Sequence, residues 1–119
     1  MKIAVSAKSN NLDSQIDPRF GRAPYILIVD TQSLEYEAVD NSANRDALKG
    51  AGIQAAAAVS RKGAEVLLTG YCGPKAFQAL DAAGIQVAGD VSGTVKNAVK
   101  DFSEGRISFT ETANADAHW

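Results

Sequence analysis

From residue 51 onward the chain alternates helix-type and strand-type runs: "AGIQAAAAVSRKG", "AEVLLTG", "PKAFQALDAAG", "IQVAG" and "SGTVKNAVKDFSEG". No other feature restricts the fold as much. A strand–helix–strand unit places its two strands side by side and parallel, with a right-handed crossover. Alanine richness favours helix in the first run, and Gly63 fits its stop. The second helix has Pro74 near its first turn and Gly84 at its end. The third is N-capped at Ser92 or Thr94 and ends near Gly105.

The first half reads differently. "KIAVSA" is a β-type run, followed by the polar loop Lys8–Pro24. "YILIVD" (Tyr25 to Asp30) is a second strand, and Thr31-Gln32-Ser33 a turn. "LEYEAVD" (Leu34 to Asp40) alternates apolar and charged residues, as a half-exposed strand paired with its predecessor does. "NSANRDALKG" reads as a polar connection. The order is therefore β-β-β-α-β-α-β-α, an antiparallel meander followed by parallel crossovers. With the first strand central, the expected fold is α/β: a three-layer, five-stranded mixed sheet of order 3-2-1-4-5 with about three helices. Residues 1–109 form one domain, and 110–119 are expected to be a flexible C-terminal tail. His118 beside Trp119 in that tail is set aside as inert.

This topology predicts where a site falls. Only the second strand is reversed, so the loops Lys8–Pro24, Asn41–Gly50, Gly70–Gly73 and Gly89–Thr94 emerge at one sheet edge. Open α/β sheets bind ligands beyond the carboxyl ends of their strands. Three of these loops enter helix N-termini, whose free N–H groups and positive dipole ends attract anions. Glycines fall at the same places, as the pairs Gly50 and Gly52, Gly70 and Gly73, and Gly89 and Gly93. Each pair is as readily explained by turn chemistry, but together they suggest a cleft where backbone donors approach a bulky ligand. Arg19, Arg22, Lys49 and Lys75 add positive charge around the rim. The only cysteine, Cys72, sits at a helix N-terminus, where its thiol pKa is expected to fall and make it a soft-metal ligand or a redox thiol. The competing reading is a small buried apolar side chain.

Charge and composition exclude several classes. A net charge of −2 with pI near 5.3 argues against a basic nucleic-acid-binding face. A single cysteine excludes an intramolecular disulfide and any cysteine-rich zinc site. No apolar run approaches the ~18–20 residues of a membrane span. The N-terminus runs straight into a strand pattern, which argues against a signal peptide and makes the cytoplasm the default compartment. Two-metal phosphoryl chemistry needs clustered carboxylates, whereas Asp30, Glu35, Glu37 and Asp40 lie on the meander and its ends.

Four segments carry a resemblance: "FGRAPYILIVD" (Phe20 to Asp30), "GAGIQAAAAV" (Gly50 to Val59), "GPKAFQALDAAGIQV" (Gly73 to Val87) and "GTVKNAVKDFSEGRI" (Gly93 to Ile107). In order and spacing they resemble the dinitrogenase iron–molybdenum cofactor biosynthesis family, which includes NifX-type carriers and the C-terminal domain of NifB. The resemblance implies a ribonuclease H-like fold and a protein that binds, carries or helps assemble an inorganic metal–sulfur cluster without catalysis. Among small stand-alone members it implies a molybdenum–copper sulfide cluster held without covalent attachment. Phe20-Gly21-Arg22, Gly50-Ala51-Gly52 and Gly73-Pro74-Lys75 match the family's loop motifs. The cofactor-binding set expected from loops and resemblance together is Asn11, Arg19, Phe20, Gly21, Arg22, Lys49, Gly50, Gly52, Gly70, Tyr71, Cys72, Gly73, Lys75, Gly93 and Thr94, with Cys72 as the candidate metal ligand. Many relatives carry a histidine before Gly-Ala-Gly where this chain has Leu48-Lys49, which argues against direct iron-cluster ligation. The resemblance also implies a P-loop ATPase of the ParA/MinD kind as a partner. An alternative is therefore a cofactor-free interaction adaptor, using the smooth helix Ala51–Val59.

Overall fold

The computed structural model describes residues 1–46 and 50–114. Lys49, His118 and Trp119 lie outside the described residues. The strands are β1 (Lys2–Ala7), β2 (Tyr25–Asp30), β3 (Tyr36–Asp40), β4 (Val66–Leu68) and β5 (Gln86–Ala88). They form one sheet of order β3-β2-β1-β4-β5, as the alternation of elements requires. β1 pairs antiparallel with β2 and parallel with β4, and β4 continues parallel to β5.

Four α-helices accompany them: α1 (Ser42–Arg45), α2 (Ala51–Arg61), α3 (Pro74–Ala82) and α4 (Val95–Ser103). Strand alternation sends successive side chains to opposite faces. Ala4, Ile26, Ile28 and Leu67 meet Ala55, Ala56 and Val59 of α2 and Leu80 of α3. Ile3, Val5, Leu27, Val29 and Leu68 meet Val95, Ala98 and Val99 of α4 on the other face. The central strands are covered on both sides, which is why they read as unbroken apolar runs rather than as alternating ones. The alanine face of α2 is occupied by this internal packing.

Three expectations need adjustment. The first concerns β3, which starts at Tyr36 rather than Leu34. Leu34 sits in the left-handed region at φ 63, closing a turn in which the Asp30 carboxylate accepts the N–H groups of Gln32 and Ser33. The second is the one-turn helix α1, hidden in a stretch that reads as polar connection. Asp40 holds its first residue through the N–H and hydroxyl of Ser42, and those bonds keep the Asp40 carboxyl below the usual carboxylate range.

The third concerns the segment after Phe109. Thr110 N–H donates to Val87 O at 2.7 Å and the Thr110 hydroxyl accepts from Gly89 N–H. Asn114 bonds to the loop after β4. The expected tail is thus tied to the body as far as residue 114, because β5 is an edge strand with backbone groups free to be paired. Glycine stops behave as anticipated: α2 and α3 are followed by Gly63 and Gly84, both at φ 77. Among the described residues, no helix is long and apolar enough to cross a membrane.

Candidate functional site

The loops that follow β1, β3, β4 and β5 meet at one end of the sheet and are bonded to one another. Ile16 N–H donates to Gly93 O, Val95 N–H to Ser14 O, Asp90 N–H to Gly70 O, and Tyr71 N–H to Pro18 O. A buried polar link runs underneath: the Ser6 hydroxyl donates to Asp17 O at 2.7 Å and lies 2.8 Å from the Thr69 hydroxyl. Such mutual pairing satisfies backbone groups that a free loop would leave to water. It also makes this edge a fixed surface rather than a set of independent loops.

Around that surface the predicted residues divide into two groups. Asn11, Gly93 and Thr94 gather at the start of α4. Asn11 turns back on its own loop, its side-chain carbonyl accepting Asp13 N–H. Thr94 is the N-cap of α4, its hydroxyl accepting from Asn97 N–H at 3.2 Å. That helix end is satisfied within the chain, since Val95 N–H and Lys96 N–H donate to Ser14 O and Leu12 O.

The second group surrounds the first turns of α2 and α3. Neither has a side-chain cap on its N-cap residue, Gly50 or Gly73, and neither carries an acidic residue in its first turn. The two ends lie against each other, since a Cβ added to Gly52 would stand 2.8 Å from Ala76 Cβ. The 3₁₀ turn Phe20–Arg22 closes the corner: a Cβ on Gly21 would meet Gly52 N at 2.7 Å. Two positive dipole ends therefore converge where a third backbone segment comes within contact. Phe20 is buried beneath, packed in the core cluster of Ala55, Ala76 and Leu80. Arg22 donates through Nη1 to Arg45 O at 2.7 Å, linking the turn to α1. Lys75 is exposed on the first turn of α3, and exposed Arg19 pairs its backbone with Tyr71.

The glycines divide by cause. Gly21 and Gly52 are imposed by packing, and so is Gly70, whose added Cβ would lie 2.7 Å from Pro18 Cα. Gly50 at φ 75 and Gly93 at φ 92 are instead required by a left-handed turn, with open space beside Gly93 and only an ordinary contact, Gln54 Nε2 at 3.9 Å, beside Gly50. Gly73 is extended, at φ −72 and ψ 166.

Of the two readings of Cys72, the buried apolar side chain is the one observed, and the lowered thiol pKa is corrected. Its thiol pKa is not lowered by the helix end; burial pushes it up, from 9.0 to about 12. The residue is 2 % exposed and belongs to the apolar cluster with Phe20, Ala76 and Leu80. The cause is desolvation of the thiolate among apolar side chains. Among the described residues, no group of three or more His, Cys, Asp or Glu side chains could hold a metal ion. The corner thus offers backbone donors, cationic side chains and apolar walls, but no set of protein ligands.

Two contributors escape the sequence reading. Ala76 looks like any helical alanine, yet its Cβ sets the approach of α2. Asn114 supports the loop after β4 from a segment whose pattern has already lapsed, and nothing in the sequence marks it.

The site region is thus the edge of a three-layer α/β domain, with a corner where two helix N-termini lack side-chain caps and Lys75 and Arg19 are exposed. The chain belongs to the dinitrogenase iron–molybdenum cofactor family, whose model matches residues 1–105. Among solved structures, the apo form of the orange protein from Desulfovibrio gigas is 49% identical, covers 96% of each chain and superposes with a TM-score of 0.93. A Thermotoga protein provisionally designated NifB is 34% identical over 96% of this chain and 98% of its own, with a TM-score of 0.80. An uncharacterised protein of Methanocaldococcus jannaschii is 29% identical over 110 residues, 90% of this chain and 89% of that one.

Proposed function

We propose that this protein binds and carries an anionic molybdenum-containing metal–sulfur cluster without covalent attachment, at the corner formed by α2, α3 and the Phe20–Arg22 turn. The observation that carries the reading is the convergence of two uncapped helix N-termini with no acidic residue in either first turn. Side-by-side positive dipole ends repel, and a bound anion relieves that repulsion. Membership of the iron–molybdenum cofactor family and likeness to the orange protein support this choice of cargo.

The donor set favours one kind of cluster over another. A cluster that lacks ligands of its own needs thiolates or imidazoles from the protein, and the described residues do not group them. A thiomolybdate–copper assembly brings its own sulfides and its own negative charge. It needs hydrogen-bond donors, cationic side chains and apolar contact, which Lys75, Arg19, the α2 and α3 N–H groups and Tyr71 supply. The role is holding and handing over, with no reaction step assigned to any side chain.

The test is a titration of apo protein with tetrathiomolybdate and copper, followed by visible absorption and metal analysis after desalting. Retained charge-transfer bands with stoichiometric molybdenum and copper are expected. Molybdenum retained without copper would keep the carrier and remove the mixed cluster. A colourless protein that releases every metal would overturn the reading in favour of a cofactor-free adaptor for a P-loop ATPase.

A further inference from the structure

The C-terminal segment lies along the edge of the sheet and reaches the loop that joins β4 to α3. Asn114 bonds to that loop in three places. Its side-chain N–H donates to Gly70 O at 2.9 Å, its side-chain carbonyl accepts from Cys72 N–H at 2.8 Å, and its backbone N–H donates to Cys72 O at 3.2 Å. Gly70 and Cys72 are both buried, so these backbone groups have little access to water as partner. On its other side the same loop is held by the chain before the 3₁₀ turn: Tyr71 N–H donates to Pro18 O and Phe20 N–H to Tyr71 O. The loop is thus clasped between two segments.

A second observation stands independently of those bonds. A Cβ on Gly89 would fall 2.4 Å from Asn114 Nδ2 and 3.0 Å from the Thr110 hydroxyl oxygen. Gly89 is therefore a slot shaped to admit the two polar side chains of the segment. The glycine expected to face a ligand faces the C-terminal chain instead.

What anchors the segment is slight. Thr110 makes one bridge to Val87. Phe109 is 40% exposed and touches Phe102 at a tilted angle, the ring centroids 6.3 Å apart. Ile107 packs against the α4 cluster, but beyond it the segment is held by a few hydrogen bonds and little apolar burial, and such a segment opens locally, well before the core does.

We propose that residues 108–114 form a latch: docked, Asn114 fixes the Gly70–Cys72 wall and so keeps the Cys72 thiol within its apolar cluster of Phe20, Ala76 and Leu80, and undocking of the latch alone frees that loop to open and expose the thiol. Asn114 acts through the loop and is a positioning residue. The raised thiol pKa fits the closed state, in which the thiolate has no solvation. The device does not depend on the cargo, and its test uses the apo protein.

The sole cysteine makes the measurement simple. Native protein is labelled with N-ethylmaleimide in excess, as a function of urea, for the parent chain and for Asn114→Ala and Gly89→Ala. Asn114→Ala removes the side-chain bonds, whereas Gly89→Ala keeps Asn114 and evicts it by collision. Both variants are expected to raise the labelling rate about tenfold or more, the effect of leaving a buried backbone group without its partner. Labelling of the parent is expected to depend weakly on urea, as a local opening does. Global unfolding, followed by circular dichroism, is expected to shift less than the labelling. Labelling that is unchanged in both variants, or that rises only in step with the global unfolding constant, would overturn the latch. Either result leaves the titration with thiomolybdate and copper to judge the carrier separately.

Discussion

The closeness of α2 and α3 can be tested by moving a single methyl group from one helix to the other. In Gly52→Ala the new Cβ would stand 2.8 Å from Ala76 Cβ, against the ~3.5–4.0 Å of an ordinary carbon contact. Overpacking of this size costs ~1–3 kcal/mol. Replacing glycine by alanine in a helix returns up to ~1 kcal/mol, less in a first turn. The single variant is therefore expected to lose about 0–3 kcal/mol, several degrees in Tm at most for a chain of this size. Ala76→Gly alone costs ~0.5–1 kcal/mol through backbone entropy. In the double variant the obstacle is gone, since the next atom near a Gly52 Cβ is Ala76 Cα at 3.8 Å. There Gly52→Ala should stabilise rather than destabilise. Urea denaturation of all four proteins gives the coupling energy, expected at ~1–3 kcal/mol, well above the ~0.3–0.5 kcal/mol seen for independent sites. Additive effects would refute the close approach, and with it the converging dipole ends on which the carrier reading rests. Cargo retention should follow the same cycle, weakened in Gly52→Ala and recovered in the double variant.

Lys75→Glu places an acid in the first turn of α3, so the fold should gain ~0.3–1 kcal/mol while thiomolybdate–copper retention after desalting falls; a loss of both would assign Lys75 a structural role. Thr94→Ala removes the cap of α4 and should cost ~1 kcal/mol in urea denaturation, with cargo retention unchanged. Cys72 governs an alkaline limit. Its folded-state pKa is raised from 9.0 to about 12, so the fold holds a proton that the unfolded chain releases. The corresponding stability is present below pH 9 and is lost towards 12, at about 1.4 kcal/mol per pH unit until local opening frees the thiol. Stability curves between pH 8 and 11 should show Cys72→Ala losing less than the parent chain, and parallel curves would sink the argument.

The sheet order was legible because it follows from chain logic: two crossovers and a meander leave β1 in the centre, and the pairing agrees. Helix stops were legible because Gly63 and Gly84 sit where a left-handed residue is needed. The role of individual glycines was not. Gly52, Gly70 and Gly50 look alike in sequence, yet the first two are held by a neighbour across space and the last by its own φ. Contacts between residues distant in sequence decide that difference, and no local pattern records them. The Cys72 thiol misled for a related reason. A helix N-terminus is visible in sequence, whereas the apolar cluster that desolvates the sulfur is assembled from Phe20, Ala76 and Leu80 on separate elements. Asn114 is the extreme case, since its partners Gly70 and Cys72 lie more than forty positions away.

Helix α4 supplies the internal comparison for the corner. It begins at the same sheet edge, after a strand of the same parallel set, and its first residue follows a threonine that caps it. Lack of a cap on the N-cap residue is shared by α1, whose first N–H nevertheless donates to the Asp40 carboxylate; among the described residues, α2 and α3 are the helices that lack one and whose first turns touch. Gly50 and Gly73 stand at those cap positions, where serine or threonine would typically be worth ~1 kcal/mol more than a residue with no side-chain oxygen, though the gap to glycine itself is smaller. Local preference yields in this way where something outside the chain completes the structure. If the corner holds the proposed cargo, the acceptors that α2 and α3 lack within the chain would be supplied by its sulfides or by another anion. If the corner were only a packing arrangement, Gly73→Ser should stabilise the protein and leave cargo retention unchanged. If the free N–H groups hold the cargo, the same hydroxyl competes for them and retention falls as stability rises.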